Sequence, residues 1–558
     1  MLAIMMLAFV GIVVRLAFLQ VRDNGELSQL GLDQRVRTME LPAARGEIVD
    51  RDGVPLAISR VARDVYADPR LVTNAVGEAG QIAEILDLRR RDVLDALTYD
   101  GTFRYIERQV DLPTADDLEA KALPGIGFLD VPQRYYPAGA LAPQVLGIVN
   151  VDGLGIAGLE EQYQKELAGT SGERTTELSA DGLPISSGVD AVSEPVPGST
   201  VVTTLDRQIQ FMAQTALQRA VAANGAKGGT VIVMDPRTGD IYAMATYPWF
   251  DPNDIGDASI DAMRNRAVTD AFEPGSVNKI ITAASAIETG AVGLQARFHV
   301  PASMQVGPFT IHDSHVHPVE TMTLGDIIAQ SSNIGAALVA DEVGNEALGS
   351  YMHRFGYGET TGLGFPGEAS GTLLPSSQWD EVIRATVSYG QGISVTPLQM
   401  ASVYATIANG GEWVQPRLVR GFREPDGTFR AAAAREPRRV VRPTTAQLLT
   451  EMLAYVVEDG TGINAQIPGY QVAGKTGTSR KLDDYGHYVS RYMASFVGFL
   501  PAASPRVVIA VSIDEPRTVY GGLAAAPLFQ QIARYAIQRL SIPAADPVPL
   551  PPHAQTVP

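Results

Sequence analysis

In the stretch "AFEPGSVNKIITAASAIETG", Ala271 to Gly290, Ser276 stands three residues ahead of Lys279 at the start of an Ala/Ile-rich run. On a helix, positions i and i+3 share a face one turn apart, so hydroxyl and amine can meet. A serine hydroxyl is a weak nucleophile until a base takes its proton, and a lysine can be that base when burial or a neighbouring cation lowers its pKa. The free N–H groups of a helix N-terminus would lie near Ser276, where they could steady a developing oxyanion. Taken alone, Ser-x-x-Lys is weak evidence, because an ordinary capped helix has the same spacing.

Two further stretches strengthen it. "AQSSNIGAALVADEVG" puts Ser331, Ser332 and Asn333 just before a second small-residue helix, either aimed at the same cleft or capping that helix. "GYQVAGKTGTSRK" puts Lys475, Thr476, Gly477 and Thr478 in an extended segment before the strand candidate "YMASFVGFLP", unless the glycine marks a turn. Lys475 with Thr476 and Thr478 offers charge and hydroxyls to a carboxylate, and Gly477, lacking a side chain, would let a substrate lie against the strand edge. Three such segments in one order argue against coincidence. A last group, His312, His315 and His317 in "IHDSHVHPVE", has ligand-like spacing. With no HExxH helix or matching carboxylate motif it predicts a solvated polar loop and no metal.

The elements that must position these residues follow from periodicity. "STVVTTLDRQIQFMAQTALQRAVAANG" reads as a short strand and a long amphipathic helix, with Thr204 or Asp206 as N-cap and Gly225 as stop. "GGTVIVMDPRTGDIYAMATYP" reads as a hairpin about "PRTG". "YMASFVGFLP" and "PRVVIAVSID" are strands, and "APLFQQIARYAIQRL" is an amphipathic helix. Strands from both ends with helices between them predict an α+β unit: one antiparallel sheet covered by helices, beside a helical lobe from about residue 276 to 408.

With 558 residues, 45% hydrophobic and 19% charged, the chain has room for several folded units. A net charge of −18 argues against a nucleic-acid partner. The absence of cysteine excludes disulfides, thiolate nucleophiles and Cys-ligated metals. Residues 1–21 are apolar apart from Arg15 and Gln20, which predicts a retained single membrane anchor over a cleaved signal peptide. No Lys or Arg precedes the run, so orientation is not readable from charge, and a basic segment upstream of Met1 is expected. An irregular region follows to residue 190, then a Ser/Gly/Pro linker over 191–200 and the regular unit over 201–541. The Pro-rich end, 542–558, predicts a disordered tail.

The order Ser-x-x-Lys, Ser-x-Asn, Lys-Thr-Gly resembles the signature of penicillin-binding proteins and serine β-lactamases. "RGEIVDRDGVPLA", "RYYPAGALAPQVLG" and "GLGIAGLEEQYQKELAGTSG" are similar to the N-terminal motifs of class B penicillin-binding proteins, and no glycosyltransferase domain fits before the linker. "RNRAVTDAFEPGSVNK", "SSNIG", "YGQGISVTPLQMASVYATIANGG" and "YGGLAAAPLFQQIA" resemble the division-specific FtsI type more than the elongation type. Val277 and Asn278 depart from that pattern, standing where Thr and an apolar residue are commoner.

The resemblance implies a β-rich pedestal of the dimerisation type over 22–190 ahead of the transpeptidase domain. The protein would be held by one helix in the bacterial inner membrane, with its catalytic domain in the periplasm. Its activity would be D,D-transpeptidation of peptidoglycan, without cofactor, from a D-Ala-D-Ala donor to an amine of a neighbouring strand, with β-lactams acting as donor mimics. Ser276 would be the nucleophile and Lys279 its base. Ser331 would relay a proton, and Asn333 would hold the stem peptide. Lys475 would depress the pKa of Lys279 and, with Thr476, Gly477 and Thr478, receive the carboxylate, while the N–H groups of Ser276 and Thr478 would form the oxyanion hole. Expected partners are a SEDS-type glycosyltransferase and other division proteins. An elongation-type enzyme, a β-lactamase and a division scaffold are the alternatives. Asp50, Arg51 and Arg134 are expected to fasten the pedestal.

Overall fold

Asp206 starts the first long helix of the catalytic unit, and its carboxylate accepts from the N–H groups of Gln208 and Ile209, both at 3.1 Å. The helix, α1, runs Arg207–Asn224 and stops at Gly225 in the left-handed conformation, as the sequence predicts. In the computed structural model the hairpin about "PRTG" is β1 (Gly228–Met234) and β2 (Ile241–Tyr247). From the far end of the chain come β3 (Ala473–Leu482), β4 (Tyr488–Leu500) and β5 (Val507–Asp514). They form one antiparallel sheet in the order β2-β1-β5-β4-β3, so β3 is an edge strand.

Strands from the middle of this sheet are apolar on both faces because both are covered. On one side Ile209, Ala213 and Leu217 of α1 pack with Val231, Val233, Phe496, Ile509 and, from the C-terminal helix, Phe529 and Ile532. On the other lies the helix Pro397–Ala408, buried at every residue and closed at its start by a capping box between Thr396 and Gln399. Its few polar side chains, Gln399, Ser402 and Thr406, are hydrogen-bonded within the protein, as a helix enclosed by a sheet and a helical lobe requires.

The structure describes residues 1–22, 35–177, 185, 190–256, 258–483 and 485–551, without the side chains of 19–22. The side chains of 19–21 in the expected anchor, the Arg22 side chain and residues 23–34, 178–184 and 186–189 of the expected pedestal, and the last seven residues of the expected tail lie outside these. The chain divides into two compact units: 1–46, 59–133 and 165–199 form one, and 47–58, 134–164 and 200–558 form the catalytic unit. In the first, Val36–Leu41, Gly172–Glu177 and Asp190–Ser193 make a three-stranded antiparallel sheet. The helices Ala75–Leu86, Arg90–Leu97 and Leu112–Glu119 enclose a small core of Val65, Ile82, Val93, Leu97 and Leu118.

Asp50, Arg51 and Arg134 lie in the segments 47–58 and 134–164, which pack with the residues from 200 onward, and each has a structural contact. Asp50 accepts from the N–H groups of Asp52 and Val54, Arg51 stacks over the ring of Tyr242 at 4.5 Å, and Arg134 pairs with Glu160 at 2.6 Å with both side chains buried. The Pro-rich end is docked where it is described. Gln471 donates to the carbonyl of Val548 and accepts its N–H, and Tyr470 donates to the carbonyl of Ile542. At the other end, Leu2–Arg22 is helical and exposed along its described side chains, which stop at Phe18. Among the described residues no helix is long and apolar enough to cross a membrane.

Asp206 is buried and also pairs with Arg539 at 3.0 Å. Asp206→Ala removes both the cap and this ion partner, and should destabilise the catalytic unit by about 1–2 kcal/mol. A fall in its urea unfolding midpoint would measure the loss.

Candidate active site

Ser276 sits on a single 3₁₀ turn, Gly275–Asn278, that runs directly into α2 (Lys279–Thr289). The turn is wedged among close neighbours. Gly275 and Gly390 have φ of 59° and 85°, the N–H of Gly275 donates to the carbonyl of Gly390 at 3.0 Å, and a Cβ on Gly390 would fall 2.2 Å from the carbonyl oxygen of Gly275. Below it, the hydroxyl of Tyr404 donates to the carbonyl of Val277 at 2.9 Å. Ahead of it, Glu273 accepts from the N–H of Gly392 at 2.8 Å and from the hydroxyl of Tyr488 at 2.9 Å, and its burial raises its pKa.

The second motif closes helix α3 (Leu324–Gln330) and opens α4 (Asn333–Val343). Ser331 caps α3 in the left-handed conformation, φ 63°, and this bend presents both its carbonyl and its hydroxyl to Lys279. The Lys279 Nζ lies 2.9 Å from Ser276 Oγ, 2.7 Å from the Ser331 carbonyl oxygen, 3.3 Å from Ser331 Oγ and 2.8 Å from Asn333 Oδ1. None of these oxygens carries a charge.

That set can hold the amine in its neutral form. The Ser331 carbonyl and Asn333 Oδ1 can only accept, so they take the two N–H bonds of an –NH₂ group. The lone pair is then left to the hydroxyl of Ser276. Burial of Lys279 pulls its pKa down to about 7, against the opposing pull of Asp313. Burial is the leading cause at Lys475 too, whose pKa is lowered first by burial and then by the charge of Lys279, so a proton on either amine disfavours one on the other.

Lys475 lies on β3, wholly buried, with its Nζ 3.2 Å from the Thr476 carbonyl oxygen and 3.3 Å from Thr476 Oγ1. A carboxylate arriving beside it would favour its charged form. Thr476 and Thr478, two apart on the strand, share the face opposite Lys475 and Gly477. Thr476 Oγ1 lies 2.7 Å from Thr461 Oγ1, and Thr478 Oγ1 accepts from the N–H of Gly521 at 3.1 Å, leaving its proton free to donate. Gly477 does not make room for substrate. A Cβ there would meet Ser495 Oγ at 2.3 Å, Val277 Cγ1 at 3.1 Å and the Pro274 carbonyl oxygen at 3.2 Å, so its missing side chain admits the nucleophile turn. A Cβ on Gly275 would lie 3.2 Å from the Thr478 carbonyl oxygen, which sets the peptide of Ser276 beside the unpaired edge of β3.

The first two segments therefore meet at one buried amine, and the third lies against the nucleophile turn. The histidine segment is different from its sequence expectation: His312 and His315 are exposed, but His317 is buried and bonded to Asp313. Among the described residues no three His, Asp or Glu side chains are arranged to hold a metal ion. Sequence reasoning missed Tyr488, Tyr404 and Thr461, which lie outside the motifs, and Glu273, three residues ahead of Ser276, whose partners Gly392 and Tyr488 are distant in the chain. Asn278 departs from the family pattern at some cost, since its Nδ2 donates to the carbonyl of Val387 while its buried Oδ1 has no partner.

Residues 229–534 match the penicillin-binding protein transpeptidase domain. The chain belongs to the penicillin-binding protein transpeptidase family. Residues 40–203 match the penicillin-binding protein dimerisation domain, the arrangement expected of class B. Penicillin-binding protein PbpB of Mycobacterium tuberculosis is 38% identical over 96% of this chain and 84% of its own. Peptidoglycan D,D-transpeptidase FtsI of Escherichia coli K12 is 33% identical over 96% of this chain and 90% of its own. Among solved structures, penicillin-binding protein 3 of M. tuberculosis complexed with ampicillin is 34% identical, covers 92% of this chain and 99% of that one, and superposes with a TM-score of 0.73. This penicillin-binding protein is thus of the FtsI type, and its mixed α+β fold is the family's.

An amine that must be neutral to act, with a pKa of about 7, ties activity to pH. Acylation by a labelled penicillin should fall as pH drops below about 7, because the protonated amine has no lone pair, and level off above it. Rate constants across pH 5.5–9 check this, and a flat profile would remove Lys279 as base.

Proposed function

We propose that this penicillin-binding protein is a division-type peptidoglycan D,D-transpeptidase in which Ser276 carries the acyl group. The observation that carries the reading is the buried Lys279 amine 2.9 Å from Ser276 Oγ, with its other near neighbours able to take its two hydrogens. Ser276 Oγ attacks the carbonyl carbon of the penultimate D-alanine while its proton passes to Lys279 Nζ. The oxyanion forms beside the N–H groups of Ser276 and Thr478, a kind of contact worth several kcal/mol to a transition state. As the peptide C–N bond breaks, Ser331 Oγ protonates the departing amine and recovers a proton from Lys279, 3.3 Å away. An amine of a neighbouring strand then attacks the ester, and the proton it loses returns to Ser276 Oγ.

Lys475, Thr476 and Thr478 receive the substrate's terminal carboxylate, and Asn333 orients the stem peptide. Gly477 acts only by letting β3 approach the nucleophile turn. A β-lactam has the same acyl carbon and carboxylate, so it enters the same cycle and stops at the ester.

The division of labour along the chain is part of the same reading, with an anchor over 1–21, a pedestal over 22–190, a linker over 191–200 and the catalytic domain from 201. The anchor reading rests on the apolar run over 1–21 and on the exposure of its large apolar side chains, such as Leu7, Phe9 and Ile12, along the helix Leu2–Arg22. Single-pass placement in the inner membrane, with the catalytic domain in the periplasm and a SEDS-type glycosyltransferase and division proteins as partners, completes the proposal.

Intact-mass spectrometry of the purified chain after penicillin treatment should show one covalent adduct, absent from Ser276→Ala. An adduct persisting in the variant would take Ser276 out of the role. Lys475→Ala should still fold but lose acylation by at least about a hundredfold, the loss typical of removing one preorganised polar partner of the reacting group.

A further inference from the structure

Behind the second motif lies a pair that the mechanism above does not use. The Asp313 carboxylate accepts from four donors: the backbone N–H of Asn333 at 2.5 Å, that of Ile334 at 3.0 Å, the hydroxyl of Ser332 at 2.6 Å and His317 Nε2 at 3.0 Å. Ser332 in turn accepts from the N–H of Gly335 at 2.8 Å, so the carboxylate organises the first turn of α4 both directly and through a hydroxyl. The Asp313 and His317 side chains are each only 2% exposed.

The ring of His317 is held at both ends. Its Nδ1 lies 2.6 Å from the carbonyl oxygen of Pro318 and its Nε2 faces the Asp313 carboxylate. Both partners are acceptors, so a neutral ring, with one N–H, cannot satisfy both; the imidazolium can. The electrostatics agree. Burial draws the ring's pKa down, but the Pro318 carbonyl, Asp313 and Glu320 together raise it above its ordinary value.

Asn333 connects this pair to the chemistry. Its N–H is bound by Asp313 while its Oδ1 lies 2.8 Å from Lys279 Nζ, so one residue separates the carboxylate from the amine. Asp313 is the charged group that opposes the burial of Lys279. We propose that Asp313 and His317 are positioning residues of the second motif: the carboxylate fixes Ser332 and Asn333, and its charge, partly cancelled by the imidazolium, biases Lys279 toward its protonated form. The proposal deepens the reading of Lys279 as base and rests on it. The titratable groups that face the pair are Lys279 on α2, Glu320 on the short strand Glu320–Met322, and His315, whose ring centroid is 5.7 Å from that of His317; Lys475 on β3 acts through Lys279.

The two substitutions have opposite signs, which no purely structural role would produce. In Asp313→Asn the amine loses the negative charge that favours its proton, so the acid limb of the acylation profile moves to lower pH. In His317→Gln the carboxylate keeps its charge without the cation that offsets it, so the limb moves to higher pH. Each shift should be roughly half a pH unit or more. The measurement is the rate of acylation by a labelled penicillin across pH 5–9 for the full chain and both variants, with a melting curve for each.

A normal limb in the parent protein that neither variant moves, or that both move the same way, overturns the proposal alone, even if both rates fall. A parent profile with no acid limb overturns it together with the reading of Lys279. If Asp313→Asn does not fold, His317→Gln decides: a shift to higher pH supports the pair, and an unmoved limb overturns it.

Discussion

A buried amine without a contacting acid is the constraint around which this catalytic unit is organised. Lys279 is fully enclosed, and an ammonium there would forfeit its hydration, since the described oxygens it touches are all uncharged. The neutral form is tolerable only if two acceptors take its hydrogens and a hydroxyl meets its lone pair. Those partners come from a 3₁₀ turn and, more than fifty residues later, from a left-handed helix cap and the helix N-terminus that follows it. The requirement thus reaches outward to the helices α3 and α4, whose junction at Ser331 must bend so that one residue supplies both a carbonyl and a hydroxyl.

The sheet answers a second demand, that the substrate's carboxylate and developing oxyanion meet groups fixed before the reaction. An edge strand has unpaired backbone groups by construction, and β3 is the edge nearest the nucleophile. Bringing a helix N-terminus against that edge leaves no space for side chains between them. Gly275, Gly390 and Gly477 are three places where a methyl group would meet backbone or a packed hydroxyl. Their value is proximity, and the rigid backing of the all-buried helix Pro397–Ala408, through Tyr404 and Val277, keeps that proximity constant.

What was legible in the sequence is what depends on local spacing. The helix 207–224 announces itself through Asp206, its apolar period and Gly225; the hairpin does so through "PRTG"; and Ser276, Lys279, Ser331, Asn333 and Lys475 are conspicuous because their motifs fall in one order. What was not legible depends on contacts between distant segments. The side-chain direction of Gly477 is decided by Ser495 and Pro274, so reading it as space for substrate was natural and incorrect. His317 has the composition of a solvated loop, and only the return of α4 to Asp313 encloses it. Arg51 precedes the linker, yet the ring it stacks on, Tyr242, follows it. The docking of residues 542–548 depends on Gln471, seventy residues earlier, which a Pro-rich composition does not disclose.

These facts bear on where negative charge is allowed in the site. A carboxylate touching Lys279 would hold its proton and abolish its use as a base, whereas complete absence of negative charge would drive the amine so far toward neutrality that it could not retain the serine's proton long enough to pass it on. The structure lies between these limits. Asp313, the acid whose charge opposes the burial of Lys279, stands one residue away behind Asn333, bound by four donors and faced by a ring whose two nitrogens both meet acceptors. A base in this setting is tuned by the distance and neutralisation of one charge, and the amide of Asn333 is the spacer that fixes that distance.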